Sequence, residues 1–291
     1  MKTTASQFKL AFLIRAMLAI VSLQFLVSIP HSAFSADACQ NVFLPPAKRP
    51  NRLKELTVAD LLKIQESETK GKTRKQINQM NKNEIAALYA LKLPKKVSGK
   101  GGDRITSISR EQGQAVIESI NNHPIINFFN SQRYDQPGVS IGFCFGRATY
   151  AHLALLKMGV HPDSIKKIWA VGPMNAGGIM WSFHVATVVR STEGGWMVID
   201  NYPNKLLNVT QWMNLFKQQN KEHNLRIYFT QPEKFSVSLS KYDRVQMGLD
   251  LTADQDWYRN YFVDLMTWFK KPGSLQSMGL KDLRPIPIVE N

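Results

Sequence analysis

Two short runs rich in aromatic and β-branched residues, 181–189 and 196–199, flank the stretch Arg190-Ser191-Thr192-Glu193-Gly194. Runs of this kind around a short glycine-containing segment predict a β-hairpin. Successive side chains of a strand point to opposite faces. His184, Ala186 and Val188 therefore share one face, and Trp181, Phe183, Val185 and Thr187 share the other. A loop of residues 190–194, centred on Thr192, sets His184 directly opposite Asp200. An odd loop keeps the two on one face, and an even loop separates them. Opposed residues have Cβ atoms about 4.5–5.5 Å apart. Asp200 is then placed to accept from one ring nitrogen of His184 and fix its tautomer, which leaves the other nitrogen for a third group.

Cys144 is the candidate for that group. It opens a segment, 144–158, in which Ala148, Ala151, Leu155 and Met158 recur at helical spacing, with Gly159 as a C-terminal cap. A thiol is a strong nucleophile only as thiolate, and both a helix N-terminus and an adjacent imidazolium lower its pKa. Pro137, Gly138, Gly142 and Gly146 punctuate the approach to the helix. Gly142 lets the backbone turn tightly, so that amides near Cys144 can point at an oxyanion. Taken singly, Cys144 also reads as a small buried hydrophobe, His184 as an ordinary strand histidine and Asp200 as a turn residue before Asn201-Tyr202-Pro203. Taken in order, Cys144, His184 and Asp200 are the parts of a cysteine nucleophile system.

The remaining pattern is a mixture of helices and antiparallel strands, hence an α+β fold. Thr57-Val58-Ala59-Asp60 resembles a capping box before Leu61, Leu62 and Ile64, which predicts a helix start. Residues 70–82 are polar, and 83–91 read as a short helix. Residues 95–103 are basic and glycine-rich, and read as a linker. Ser109 is a plausible N-cap for a helix to about Ile120, ended by His123-Pro124. Residues 125–129 form a hydrophobic patch, and 135–138 a turn. Residues 165–171 and 226–229 read as strands, 173–178 as a loop, 209–217 as a helix, and 256–269 as a mixed stretch with an aromatic helix.

Residues 1–36 do not belong to that fold. Lys2, Lys9 and Arg15 precede an apolar run over 16–29 and small residues at Ala33, Ala36 and Ala38, the layout of a signal peptide cut after Ala36 or Ala38. The run falls short of the roughly 20 apolar residues that span a bilayer, so no stable membrane insertion is expected after cleavage. The expected location is exported, secreted or periplasmic. Only Cys39 and Cys144 are present. They allow one disulfide, but Cys39 lies beside the cleavage site, which favours Cys144 as a free thiol. The formal net charge is +15. No nucleic-acid motif accompanies it and the lysines are scattered, so no nucleic-acid partner is expected. His152 and His161 flank the Cys144 helix, but no metal-ligand spacing supports them, and neither a metal nor a cofactor is expected. Asn208-Val209-Thr210 is a glycosylation sequon, relevant only in a eukaryotic secretory host.

The segments Cys144-Phe-Gly-Arg-Ala, Trp181-Ser-Phe-His184-Val-Ala and Val198-Ile-Asp200 resemble the catalytic segments of the bacterial secreted protein-glutaminases, over roughly residues 137–214. The resemblance implies a core similar to papain and the transglutaminases, with the nucleophile at a helix N-terminus packed on an antiparallel sheet. It implies Cys144 as nucleophile, His184 as general base and acid, and Asp200 as the orienting residue. The substrate would be a protein or peptide with an exposed glutamine, deamidated to glutamate through a thioester with release of ammonia. Trp181, Phe183, Phe143 and Tyr202 are available to line an apolar substrate slot. The family also carries a prosegment. Residues 37–103 fit that role or that of a permanent subdomain, and 104–291 would be the catalytic domain. Two departures stand out: the chain lacks the cysteines for the disulfides seen in secreted members, and residues beyond about 225 match no family segment. Transglutaminase or peptidase chemistry on the same core, or a non-catalytic exported binding module, are the alternatives.

Overall fold

The computed structural model describes residues 58–92, 104–135, 143–176, 178–234 and 260–284, with Val237, Tyr242, Met247 and Leu249. These fall within one compact unit, Ser35–Asn291. The leader, Cys39, the 95–103 linker, residues 136–138 of the 135–138 turn and Gly142 lie outside the described residues. The helices are α1 (Val58–Thr69), α2 (Arg74–Ala90), α3 (Arg110–Asn122), α4 (Phe128–Ser131), α5 (Cys144–Lys157), α6 (Val209–Gln219) and α7 (Tyr261–Lys270). The strands are β1 (Ile165–Ala176), β2 (Ile179–Arg190), β3 (Trp196–Ile199), β4 (Leu207–Asn208) and β5 (Arg226–Thr230). They form one antiparallel sheet in the order β4-β3-β2-β1-β5. The fold is α+β, with helices packed on both faces of this sheet.

The central strands are apolar on both faces because both faces are covered. One face, with Trp169, Val171, Val185 and Val189, packs against α5, α3 and α7. The other, with Ile168, Ala170, Ala186 and Val188, packs against Trp212 and Phe216 of α6 and Leu88 of α2. Helix ends follow local chemistry. Ser109 caps α3 in a capping box with Gln112. Asn208 caps α6, its Oδ1 accepting the Gln211 N–H at 2.9 Å, so the sequon asparagine serves as a helix cap. Gly159 follows α5 with φ 86°, the left-handed value that glycine tolerates. Among the described residues no helix is long and apolar enough to cross a membrane.

The structure departs from the sequence reading at several points. The polar stretch 70–82 is largely helical, because Thr73 and Gln76 form a capping box that starts α2. The segment expected to loop at 173–178 continues β1 to Ala176. A register shift between Val171 and Met174 absorbs Gly172 and Pro173, after which pairing with β2 resumes. A bulge is where a sheet accepts a proline, which has no N–H to donate. The apolar stretch after α3 divides: Ile125 and Ile126 are buried, while Phe128 and Phe129 face solvent.

Helices α1 and α2 are joined to β5 by buried polar contacts. Arg226 is 3 % exposed. Its Nε donates to Glu68 Oε2 at 2.8 Å and its Nη1 to Asn81 Oδ1 at 2.6 Å. Asn81 Oδ1 also accepts the Ile227 N–H, and its Nδ2 donates to the Leu225 carbonyl. Removing Asn81 strands several buried groups at once, including a charged one. Asn81→Ala is expected to cost about 2–4 kcal/mol. Glu84→Ala, which removes only a half-exposed pair to Arg226, is expected to cost less than about 1 kcal/mol. Urea unfolding of the two variants measures the contrast, and equal losses would contradict this account of the joint.

Candidate active site

Cys144, His184 and Asp200 come together although they leave from different elements. Cys144 is the first residue of α5, whose N-cap, Phe143, contributes no side-chain cap. The positive end of the helix dipole therefore acts on the thiol with no capping carboxylate in between. Cys144 is a free thiol and is buried. Helix α5 is fastened to β2 by Thr187, whose hydroxyl donates to the Ala148 carbonyl at 2.7 Å. Tyr261 of α7 packs so tightly on Gly146 that a Cβ there would collide with its ring. These contacts set the height of the helix start against the strand that carries His184.

His184 and Asp200 are not directly opposite. The β2–β3 register pairs Thr187 with Ile199 and Arg190 with Trp196. The connection is Ser191–Gly195, one residue later than expected, and it places Asp200 beyond Ala186. The length is still odd, so the shared face survives and the two residues are diagonal neighbours, within reach of long side chains. His184 Nε2 lies 2.8 Å from Asp200 Oδ2. Nδ1 is then the ring nitrogen left for Cys144, with which His184 hydrogen-bonds.

Asp200 is anchored from three sides. Its Oδ2 accepts Trp212 Nε1–H at 2.7 Å as well as the His184 contact, and its Oδ1 accepts the Tyr202 N–H at 3.0 Å. Burial pushes the carboxyl pKa up, but the charge and hydrogen bond of His184, with those of Trp212 and Tyr202, bring it below the ordinary value. Burial likewise pushes His184 down, and Asp200 and Cys144 together raise it to about 9. Burial pushes the Cys144 thiol up. Hydrogen bonding and charge from His184, the charge of Arg147 and the Val185 backbone outweigh it, so the thiol lies below its usual value. The direction of all three shifts favours a thiolate–imidazolium pair steadied by a carboxylate.

The proposed slot residues separate into groups. Trp181 stacks on the His184 ring with centroids 5.3 Å apart and meets Tyr202 edge-on at 4.8 Å. Phe183 instead packs toward Trp169 on the other face. The expectation that Trp181 and Phe183 share a face fails, because the β1 register shift lies opposite this stretch and bulges re-aim side chains. Phe143 is buried and stacked on Tyr261 at 4.9 Å, within the core rather than at a surface. Tyr202 is partly exposed, so Trp181 and Tyr202 are the pair that rims His184.

Other residues at the site carry weaker sequence signals. Trp212 and Phe216 lie one turn apart on α6. Phe216 stacks on His184 at 4.8 Å, and Trp212 holds Asp200. A pair of aromatics at i, i+4 soon after the hairpin that carries His184 is the sequence signal for them. Lys167 of β1 is fully buried, with Nζ 4.2 Å from the Phe145 ring centre and 4.4 Å from that of Tyr242. Burial pushes its pKa well below that of an ordinary lysine. His152 pairs through Nδ1 with the Tyr242 hydroxyl at 2.9 Å, and the His161 ring accepts the Asp163 N–H. Among the described residues no group of three His, Cys, Asp or Glu side chains could hold a metal ion.

No family model, no curated protein and no solved structure matches this chain.

The shifts fix the sign of the pH dependence. The reactive pair forms as pH rises through the lowered thiol pKa, and it loses its imidazolium as pH passes about 9. Alkylation of Cys144 by iodoacetamide is expected to persist well below the ordinary thiol pKa of about 8.5. In His184→Ala the midpoint moves up past that value, because burial then acts without its main counterweight. A thiol in the native protein that titrates like free cysteine would contradict the assignment.

Proposed function

We propose that the chain is an exported cysteine amidohydrolase that deamidates protein-bound glutamine, on a core of the papain and transglutaminase kind. The observation that carries the reading is the His184 ring. It is bound at Nε2 by Asp200, hydrogen-bonded to the thiol of Cys144, and walled by Trp181 and Phe216. The segments that resemble the protein-glutaminases supply the choice of substrate. The leader-like residues 1–36 support export.

The chemistry follows from the groups present. The Cys144 thiolate attacks the carbon of the glutamine carboxamide and forms a C–S bond. Backbone amides at the start of α5 are suited to the developing oxyanion, with the helix dipole behind them. The His184 imidazolium gives its proton to the departing nitrogen, and ammonia leaves. Neutral His184 then takes a proton from water, whose oxygen attacks the thioester. Cleavage of the C–S bond returns the thiolate and releases glutamate. Asp200 keeps the ring in the required tautomer throughout, and its bonds to Trp212 and Tyr202 hold it still.

Ammonia release from a glutamine-rich protein and from a blocked glutamine dipeptide tests this. The wild type is expected to release ammonia without forming cross-linked product. Cys144→Ala is expected to abolish release, and Asp200→Asn to lower kcat by about 10²–10⁴ through the wrong tautomer. Cross-linked product would move the reading to a transglutaminase, and backbone cleavage to a peptidase. No turnover with an alkylation-resistant Cys144 would leave a non-catalytic binding module.

A further inference from the structure

Helix α5 is buried at every position from Cys144 to Lys157 except one, Arg147. Arg147 lies three residues after the nucleophile. On a helix such residues are neighbours, with Cβ atoms about 5–6 Å apart. Its guanidinium presents a planar fork of donors. Among the described residues nothing accepts from it and no carboxylate pairs with it. Two buried arginines elsewhere in the fold are by contrast engaged: Arg226 with Glu68, and Arg190 with the Leu91 carbonyl.

The position is also unfavourable for the fold. The first turns of a helix favour anions, because the unsatisfied N–H groups carry partial positive charge. The first turn of α5 holds no acidic residue. A cation there opposes the helix dipole and finds no ion pair to offset the cost. Its charge does reach the thiol: burial pushes the Cys144 pKa up, and Arg147 joins His184 in pulling it down. A partly exposed guanidinium close enough to act on the Cys144 thiol is within reach of an anion that enters beside it.

We infer that Arg147 is a substrate-recognition residue that takes a carboxylate, the Asp or Glu side chain flanking the target glutamine. The guanidinium fork matches a carboxylate in two parallel hydrogen bonds. The formal net charge of +15 favours acidic partners in the same direction. The inference rests on the deamidase reading for the word substrate, but the anion site itself does not depend on it.

Two measurements on the full mature chain separate these. The first is kcat/KM for ammonia release from blocked peptides whose glutamine is flanked by Glu, Ala or Lys. Wild type is expected to prefer Glu over Lys by about fivefold or more, the scale of a partly solvated charge pair. Arg147→Glu should invert the order, and Arg147→Lys should keep it. The second is the ratio of Cys144 alkylation rates by iodoacetate and iodoacetamide, reagents that differ in charge. That ratio should fall about fivefold in Arg147→Gln, provided its thermal melt matches the wild type. An unchanged peptide order in Arg147→Glu with an unchanged alkylation ratio overturns the inference and leaves the deamidase standing. A fallen ratio without ammonia from any peptide sustains the anion site and removes the deamidase.

Discussion

The carboxylate of Asp200 is the interaction on which the rest of the site depends. It is 5 % exposed. A buried carboxylate without partners would cost several kcal/mol. Here one oxygen accepts from the Trp212 indole and meets His184 Nε2, while the other accepts a backbone N–H. Those contacts join the end of β3, the face of β2 and the buried side of α6. The same contacts set the ring plane and tautomer of His184, and through it the state of Cys144. Replacing a buried ionic cluster with apolar side chains of similar volume is often neutral or stabilising. Stability alone therefore does not account for this arrangement, which supports the chemical role proposed for it.

The second constraint is how Cys144 arrives. His184 belongs to the sheet face that packs on α6, while α5 covers the opposite face. The thiol reaches the imidazole because α5 begins beside β2 and is held there by Thr187 and by the Tyr261 ring on Gly146. The thiol and the imidazole are thus supplied from two layers, and the sheet acts as the plate between them. Positioning on a helix start and a central strand suits a site that must hold a thiolate and an imidazolium at fixed separation.

Much of this was legible in the sequence, and the failures have identifiable causes. Parity made the His184–Asp200 contact robust. The connection moved by one residue and the register by two, yet an odd length kept both side chains on one face. Parity failed for Trp181, because Gly172 and Pro173 insert a shift in the partner strand, which the alternation within β2 does not record. The sequence reading of helix α2 begins only at residue 83; its polar first half is missed because its start is signalled by Thr73 and Gln76 rather than by apolar spacing. Trp212 and Phe216 fall in the stretch 209–217, which the sequence marks only as a helix. Only the three-dimensional approach of α6 to the end of β3 turns one into a hydrogen-bond donor and the other into a wall for the imidazole.

The most direct test of the central claim is to trap the acyl-enzyme. Wild-type chain mixed with a blocked glutamine peptide, quenched in acid and mapped by mass spectrometry, should carry the peptide as a thioester on the Cys144 fragment, with ammonia lost. The adduct should be absent in Cys144→Ser. Ammonia release with no adduct on Cys144, or an adduct on another residue, would contradict the account.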